Sequence, residues 1–378
     1  MKILEYQFKE GTEAGWEFDK IQASDINVLV GQTATGKTRF LNTIFNAGLV
    51  AARDTKLTSV GTWDIKFNHN DADYFWHVQS EKTSPTEVSI VNEVLKKTDG
   101  DKEEELIKRD LAGFYFKGSP IPKLSQNHSA IQLLKEEETI KPIFEGFGRI
   151  AKRYFSGDDL KKQARDEIID TKTKELLDKA KNKKTLLFRF AIGNKLNLLQ
   201  EYYPENFKRV CDAFKNVFPF VESCAITTKD RTAETLNVMA DLKIKIFAVK
   251  EKGGKEWISY DQLSSGMQKV ILFLADIETL PAGSIYLIDE YENSLGVNAI
   301  DFLPDYIATV NYDIQFFITS HHPYIINNFE PKDWFIFHRK GKKVSIKYGA
   351  ENAKKFSKSK QEAFTQLLND PFYAEGIE

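Results

Sequence analysis

Cysteine is scarce in this sequence, which argues against a protein stabilised by disulfides and against a zinc-binding protein. Only Cys211 and Cys224 occur among 378 residues. Their spacing matches neither a metal-binding nor a redox motif. We therefore expect neither a disulfide framework nor a zinc site, and we interpret both cysteines as ordinary buried thiols.

Long apolar runs and a strong net charge are also missing. The longest clean apolar run, Val270 to Ala275, is far too short to cross a bilayer, and the N-terminus lacks the apolar core of a signal peptide. We expect a cytoplasmic protein that does not associate with membranes. A net charge of −2 identifies no partner, whereas 42% apolar and 29% charged residues are typical of a soluble globular chain.

The order of apolar patterns predicts three regions. Residues 1–128 alternate apolar and polar positions as short antiparallel strands do, except that the charged stretch from Lys96 to Arg109 is predicted to be an exposed loop or helix. Residues 129–214 lack strand signals and are predicted to be a helical insertion, in which the mixed charges from Lys152 to Lys184 form a solvated face or a protein-docking surface. Residues 215–378 begin with strands and then alternate helix and strand, which predicts a C-terminal lobe with a parallel, doubly wound α/β core.

A glycine-rich segment lies between a buried strand, Ile26 to Val30, and a helix with one apolar face. Its two glycines allow the backbone to fold around an anion with its N–H groups pointing inward, and the helix N-terminus adds partial positive charge. Lys37 would bridge the β- and γ-phosphates of ATP, and Thr38 would hold Mg²⁺. An ordinary glycine-rich turn is the alternative. The predicted nucleotide-binding residues are Gly31, Gln32, Thr33, Ala34, Thr35, Gly36, Lys37, Thr38 and Arg39.

A second candidate element is the apolar strand Ile285 to Asp289, which ends in the acid pair Asp289 and Glu290. Bringing a carboxylate to the end of a core strand costs desolvation, which favours a functional reading over an exposed edge. Asp289 would orient Mg²⁺, and Glu290 would position or deprotonate the attacking water.

Two further segments carry a family resemblance. Leu263-Ser264-Ser265-Gly266-Met267-Gln268 precedes an amphipathic helix and resembles the signature motif of ABC-type ATPases, in the form found in the RecF, SMC and OLD-like branch. The strand-ending segment from Phe316 to Tyr324 resembles the switch of the same ATPases and aligns His321 with the switch histidine. His322 stands where the family commonly has serine.

The resemblance covers most of the chain and implies an ABC-type P-loop ATPase head. It implies a homodimer that closes on two ATP molecules, in which Ser264, Ser265 and Gly266 complete the active site of the opposite copy. Lys37, Glu290 and His321 would be catalytic. Gln126 would be the Mg²⁺-contacting glutamine, and the segment from Tyr291 to Gly296 would be the dimer-contacting loop.

The sequence is most similar to the AAA15 or AAA21 group of OLD-like ATPases, and we expect it to lack the Toprim nuclease domain that OLD enzymes carry after the ATPase. This similarity implies an ATP-hydrolysing regulatory subunit that controls an effector nuclease or toxin in anti-phage defence. The alternative is a RecF- or SMC-like ATPase that binds DNA in repair or chromosome maintenance.

Residues 331–360 contain an excess of basic residues. A basic hairpin there would form a salt-sensitive nucleic-acid surface, or it would be a solvated sheet edge that discourages aggregation. The two interpretations are both compatible with the sequence. The basic residues are Lys332, Arg339, Lys340, Lys342, Lys343, Lys347, Lys354, Lys355, Lys358 and Lys360.

Overall fold

Segments that are distant in sequence come together in two units. The computed structural model describes residues 1–12, 15–53, 57–100, 102–110, 112–154, 171–180, 183–231, 242–292, 299, 302, 304–307, 313–349 and 360–377. The first unit comprises Met1–Arg153, Ala282–Tyr291 and Tyr312–Glu378, and the second comprises Tyr154–Pro281 and Glu292–Asn311. The region limits at 128 and 214 stay a prediction.

The strands of the described residues fall into two sheets. They are β1 (Lys2–Glu10), β2 (Glu17–Phe18), β3 (Ile21–Gln22), β4 (Ile26–Val30), β5 (Gly61–His69), β6 (Ala72–Ser84), β7 (Glu87–Asp99), β8 (Lys102–Arg109), β9 (Phe114–Phe116), β10 (Ser119–Ile121), β11 (Ile150–Tyr154), β12 (Val221–Arg231), β13 (Leu242–Glu251), β14 (Ile258–Ser259), β15 (Ser284–Asp289), β16 (Ile314–Thr319), β17 (Trp334–Lys340) and β18 (Lys343–Tyr348).

The first unit contains a mixed sheet of 15 strands in the order β10-β9-β8-β7-β6-β5-β1-β2-β18-β17-β4-β16-β15-β11, with β3 paired to β1. From β10 to β2 the neighbours are antiparallel, whereas β17, β4, β16 and β15 are parallel to one another. The predicted antiparallel lobe and parallel core are therefore parts of one continuous sheet. The parallel strands β4, β15 and β16 end at the same edge.

The helices are α1 (Lys37–Ala52), α2 (Ala130–Leu133), α3 (Lys141–Phe147), α4 (Thr171–Lys179), α5 (Lys184–Leu187), α6 (Ile192–Tyr202), α7 (Pro204–Val217), α8 (Ser265–Thr279), α9 (Pro323–Asn328), α10 (Lys360–Leu368) and α11 (Pro371–Ala374). Helix α1 packs on the sheet through Phe40, whose ring meets the rings of Tyr6, Phe18 and Phe337. Burying a side chain of this size contributes about 1.5–3 kcal/mol. That contact fixes the start of α1, and with it the glycine-rich loop.

The prediction of a loop or helix between Lys96 and Arg109 was wrong. This stretch completes β7 and forms β8, which pair as an antiparallel hairpin. Lys96 lies opposite Glu105 and Lys97 opposite Glu104, and Lys96 Nζ is 2.6 Å from Glu103 Oε1. Opposite charges across paired strands stabilise a sheet whose residues individually favour helix or loop.

The prediction that residues 129–214 contain no strand was also wrong. Ile150–Tyr154 forms β11, which lies at the sheet edge beside β15. Ile150 and Ala151 are buried, but the next residue along the strand is Lys152. A charged side chain at that position removes the apolar alternation by which a strand is detected.

The second unit combines helices α4 to α8 with a small antiparallel sheet, β12-β13-β14. Helix α8 begins at Ser265, and its last turn contains buried acidic side chains that contact neighbouring helices. Asp276 forms an ion pair with Lys195 of α6, and Glu278 accepts hydrogen bonds from Asn206 and Arg209 of α7. These contacts anchor the helix that carries the signature-like segment.

Both cysteines lie in the second unit as free thiols, with Cys211 buried and Cys224 partly exposed. Of the predicted dimer-contacting loop from Tyr291 to Gly296, residues 293–296 lie outside the described residues. Within the described ranges, no helix combines the length and the apolar character needed to cross a membrane.

Candidate nucleotide site

The glycine-rich loop after β4 adopts a conformation that depends on its glycines. Gly31 has φ 154°, Ala34 has φ 65° and Gly36 has φ 102°. A Cβ on Gly36 would come within 2.5 Å of Trp16 Cζ3, so a side chain there would clash as well as strain the backbone. The loop therefore folds as the sequence predicts, and Gly36 caps the N-terminus of α1.

Lys37 is buried within the loop, with 4% exposure. Its ammonium donates hydrogen bonds to the carbonyl oxygens of Gly31 at 2.7 Å and Gln32 at 2.8 Å, and it lies 3.5 Å from Thr35 Oγ1. Thr35 Oγ1 itself donates to the Gln32 carbonyl at 2.8 Å. These bonds close the loop around the lysine, so its positive charge faces the interior of the phosphate cradle.

The ends of β15 and β16 meet the start of α1. Strand register places Ile288 beside Ile318 and Thr319 beside Leu29, so Asp289 and Thr319 reach the sheet edge together. Asp289 Oδ1 accepts hydrogen bonds from Thr38 Oγ1 at 2.9 Å and from Thr319 Oγ1 at 2.8 Å. The structure thus brings together two residues predicted to bind metal, Thr38 and Asp289.

Glu290 lies one step beyond β15 with its side chain exposed. Its φ of 49° is in the left-handed region, which costs a residue with a Cβ on the order of 1 kcal/mol or more. Its backbone N–H donates to Thr319 Oγ1 at 2.9 Å, and this bond holds the strained turn. Thr319 therefore orients both acids at once, a role that the sequence did not reveal.

A cavity of about 860 Å³ opens over the loop within the first unit. Glu290 and His321 both line it, together with loop residues from Thr33 to Arg39. His322 is not among the lining residues; it precedes α9 as its N-cap, and its N–H donates to Ser320 Oγ at 3.1 Å. The lining residues are Phe8, Glu10, Thr12, Trp16, Thr33, Ala34, Gly36, Lys37, Thr38, Arg39, Asn42, Thr43, Asn46, Thr58, Ser59, Val60, Glu290, His321 and Arg339.

Trp16 and two arginines form one wall of this cavity. The guanidinium carbons of Arg39 and Arg339 each lie 4.8 Å from the centroid of the Trp16 ring. Arg39 also contacts both carboxylate oxygens of Glu10, at 3.0 and 3.1 Å, and Arg339 Nη1 donates to the Ala34 carbonyl at 3.1 Å. Arg339 lies in the predicted basic hairpin, yet its side chain contacts the glycine-rich loop. No local motif marks either Trp16 or Arg339.

The C-terminal residues also touch the loop. Gln32 Nε2 donates to the Ala374 carbonyl at 2.5 Å, and the N–H of Arg339 donates to the Gly376 carbonyl at 2.8 Å. The ring of Phe372 stacks on His338 with centroids 4.8 Å apart. Gln32, the first residue after Gly31, is therefore held by the last residue of α11.

Gln126 is not brought to the cavity. It is exposed, and its carbonyl accepts a hydrogen bond from the N–H of Ile90 of β7, in the antiparallel part of the sheet. A metal role for Gln126 is not supported by this position.

A lysine that the sequence interpretation assigned to a solvated face lies at the acid instead. The side chain of Lys152 on β11 is 2% exposed, and its Nζ is 3.6 Å from Asp289 Oδ2 and hydrogen-bonds to Asn42 Oδ1. Removal from water is the larger effect and lowers the pKa of Lys152 to about 8, against the opposing pull of Asp289. The solvated-face interpretation was therefore wrong for Lys152.

Ser264, Ser265 and Gly266 lie at the N-terminus of α8 in the second unit. Both serines are exposed, and Ser264 Oγ caps the helix by accepting a hydrogen bond from the N–H of Met267 at 3.3 Å. Ser264 is therefore the N-cap of α8, and Ser265 remains exposed at the first position of the helix.

The predicted basic hairpin exists as β17 and β18. Several of its charges have partners: Lys343 Nζ lies 3.9 Å from Asp19, Lys347 Nζ lies 4.0 Å from the centre of the Phe372 ring, and Lys332 pairs with Glu330. Lys354, Lys355 and Lys358 lie outside the described residues.

Thr38 and Asp289 suit Mg²⁺ by chemistry. The metal prefers oxygen ligands, and it is commonly held by one or two protein oxygens together with substrate phosphates. The hydrogen bond between Thr38 Oγ1 and Asp289 Oδ1 shows that these two oxygens are adjacent at the loop.

Comparison with solved structures shows which known fold the chain shares. A crystal structure of an Smc head bound to the C-terminal winged-helix domain of ScpA is similar at 12% identity and TM-score 0.54, covering 94% of this chain and 100% of that one. Smc heads from Pyrococcus furiosus (11% identity, coverage 94% and 98%, TM-score 0.47) and Thermotoga maritima (12%, 92% and 99%, 0.41) are more distant. The predicted fold class, an ABC-type ATPase head, is confirmed.

No protein of curated function matches the chain in sequence. A family does: the chain belongs to the family described as "AAA domain, putative AbiEii toxin, Type IV TA system", which matches residues 26–327. The predicted membership of the AAA21 group is confirmed. P-loop families of this kind generally use ATP with Mg²⁺.

Proposed function

We propose that the chain binds ATP with Mg²⁺ at Gly31 to Arg39 and hydrolyses it, and that it does so as a homodimer that controls an effector nuclease or toxin. The observation that carries the proposal is the junction of Thr38, Asp289 and Thr319, with the exposed carboxylate of Glu290 beside it. Ordered metal ligands next to a free acid are what hydrolysis of a phosphoanhydride requires.

In this mechanism Lys37 neutralises the β- and γ-phosphates while the loop N–H groups hold them. Mg²⁺ bound by Thr38 and Asp289 would balance the phosphate charge as it develops. The Glu290 carboxylate takes a proton from a water as its oxygen bonds to the γ-phosphorus. The bond from that phosphorus to the bridging oxygen breaks, and ADP leaves with the electron pair. His321 lines the same cavity and is proposed to contact the γ-phosphate.

The test of this chemistry is Glu290→Gln, which keeps the side chain's length and removes its basicity. ATP binding is expected to persist, turnover to fall roughly 10²- to 10⁴-fold, and ATP-dependent dimers to accumulate in light scattering. Glu330→Gln is the matched control because Glu330 is exposed and lies outside the cavity lining. A Glu290→Gln protein that hydrolyses ATP at the parental rate would refute the base assignment.

The proposed dimer has Ser264, Ser265 and Gly266 of one copy completing the site of the other. Support comes from the exposure of both serines at a helix N-terminus, which is a natural phosphate-binding position. Lys37→Ala and Ser265→Arg proteins are each expected to be inactive. Mixed at equal amounts, they should regain up to about a quarter of the parental activity, since half of the dimers would contain one intact composite site. Absence of any recovery would argue against shared sites.

The proposed role in defence rests on the family description, which names a toxin system. The partner is an effector nuclease or toxin that reads the ATP-bound state. Co-expression with the protein encoded by the neighbouring open reading frame tests this role. The amount of that protein bound to the ATPase should change when Glu290→Gln traps the closed dimer.

A DNA-binding ATPase is the second candidate, and the exposed lysines Lys340, Lys342 and Lys343 of the hairpin favour it. DNA should then stimulate turnover, and a gel shift should weaken between low and moderate salt. A Lys342→Glu/Lys343→Glu protein should lose both effects. If neither effect exists in the parental protein, the protein-only regulator is favoured.

A further inference from the structure

Lys152 occupies a position beside Asp289 that none of the predicted roles explains. Asp289 Oδ1 is held by Thr38 and Thr319, and the ammonium of Lys152 lies 3.6 Å from the other oxygen, Oδ2. Both side chains are almost fully removed from solvent, at 2% and 3% exposure. The carboxylate is therefore flanked on one side by hydroxyl donors and on the other by a cation.

The same ammonium is tied to the helix that follows the loop. It hydrogen-bonds to Asn42 Oδ1, and Asn42 follows Thr38 by one helical turn on α1. Thr38 and Asn42 both line the cavity. The cation thus lies directly behind the wall against which the phosphates of a nucleotide would rest.

The charges define what this lysine does. A nucleotide brings several negative charges next to Asp289, and an uncompensated carboxylate would repel them at short range. Mg²⁺ cancels that repulsion when it is bound. We infer that Lys152 is a positioning residue and the built-in counter-cation of Asp289, which lets the site bind nucleotide before the metal arrives or after it leaves. This inference rests on the nucleotide site proposed above.

The experiment measures ADP binding by titration calorimetry, with excess EDTA and again with MgCl₂. ADP is used because it is not hydrolysed, so turnover cannot distort the result. In Lys152→Met, the Kd for ADP in EDTA should rise on the order of tenfold or more, because Asp289 then repels the phosphates. With MgCl₂ the Kd should change less than about threefold, because the metal replaces the missing charge.

Three controls make the result specific. Lys152→Arg keeps the charge and should bind ADP in EDTA much as the parent does. Lys195→Met removes a similarly enclosed lysine from the second unit and should leave the EDTA-to-Mg²⁺ ratio unchanged. Lys152→Met/Asp289→Asn removes both charges and should recover ADP binding in EDTA. This double variant also keeps the test open if Lys152→Met folds poorly, because it buries no unpaired charge.

Two results would overturn the inference. One is equal weakening of ADP binding in EDTA and in MgCl₂ for Lys152→Met, as expected of a lysine that only supports the fold. The other is a double variant that still fails to bind in EDTA. If the parental protein itself binds no ADP under either condition, the proposed nucleotide site fails instead.

Discussion

Among the residues that the structure describes, two lysine–aspartate pairs are removed from solvent, one in each unit, and they differ in what surrounds the acid. In the second unit Lys195 and Asp276 join α6 to α8 with both side chains at 0% exposure, and the lysine also lies 4.7 Å from the centre of the Phe188 ring. In the first unit Lys152 faces Asp289, which also accepts hydrogen bonds from the hydroxyls of Thr319 and of Thr38, a residue that lines the cavity.

The difference shows that burial of a charge pair does not by itself indicate its role. Asp276 is in the last turn of α8 among packed side chains, so its partner serves mainly to neutralise it. Asp289 is at a strand end where a ligand can approach, so its partner affects what the acid binds. Substitutions in one pair are therefore the natural controls for substitutions in the other.

The largest effect is expected for Lys195→Met. It leaves Asp276 charged and enclosed without its lysine, which should lower the free energy of unfolding by roughly 3–5 kcal/mol. Urea denaturation followed by circular dichroism measures the change. Lys195→Met/Asp276→Leu should recover most of the loss, and Lys152→Met should cost less, since Thr38 and Thr319 still solvate Asp289. Equal costs for the two lysines would erase the distinction between the pairs.

Replacing the two aspartates should lower two different properties, ATP turnover for Asp289 and stability for Asp276. Asp289→Asn removes a proposed metal ligand and is expected to lower ATP turnover at least about a hundredfold. It should lower the unfolding free energy less than Asp276→Asn does, because Lys152 keeps its hydrogen bond to Asn42. Asp276→Asn should lower stability and leave turnover per folded molecule at the parental level. Steady-state ATPase rates at saturating MgCl₂, normalised to folded protein, decide between them. A stable but inactive Asp276→Asn protein would contradict a purely structural role.

The smallest expected effects come from two matched threonines. Thr319 Oγ1 donates to Asp289 and accepts from the Glu290 N–H, whereas Thr279 Oγ1 donates to the Ala275 carbonyl within α8. Thr319→Val should reduce turnover on the order of tenfold, because both acids lose a positioning bond worth about 1 kcal/mol each. Thr279→Val should cost about 1 kcal/mol of stability or less and no turnover. Identical rates in the two variants would show that Thr319 does not orient the acids.

Sequence alone identified the parts of the site that are contiguous. Gly31 to Thr38 and the Asp289–Glu290 pair were predictable because each motif directly follows or ends a buried strand. The strand and the motif are adjacent in the sequence, so both are recognised together. The basic hairpin and the helix after Ser264 were predictable for the same reason.

What sequence could not supply depends on distant pairing. Lys152 was assigned to the surface because no residue near it in the sequence indicates a contact with Asp289, which is 137 positions away. Arg339 looked like part of a basic patch because its partners, Trp16 and Ala34, lie at the other end of the chain. The β7–β8 hairpin was missed because charges that match across two strands look like a solvated loop in one dimension.

The left-handed backbone at Glu290 has a consequence for how this protein would change under selection. Glycine and asparagine tolerate that conformation more easily than glutamate, so either would relax the turn. Directed evolution for heat resistance alone should therefore accumulate replacements at this codon and produce sturdier but inactive proteins. Keeping glutamate there requires that activity be screened in every round.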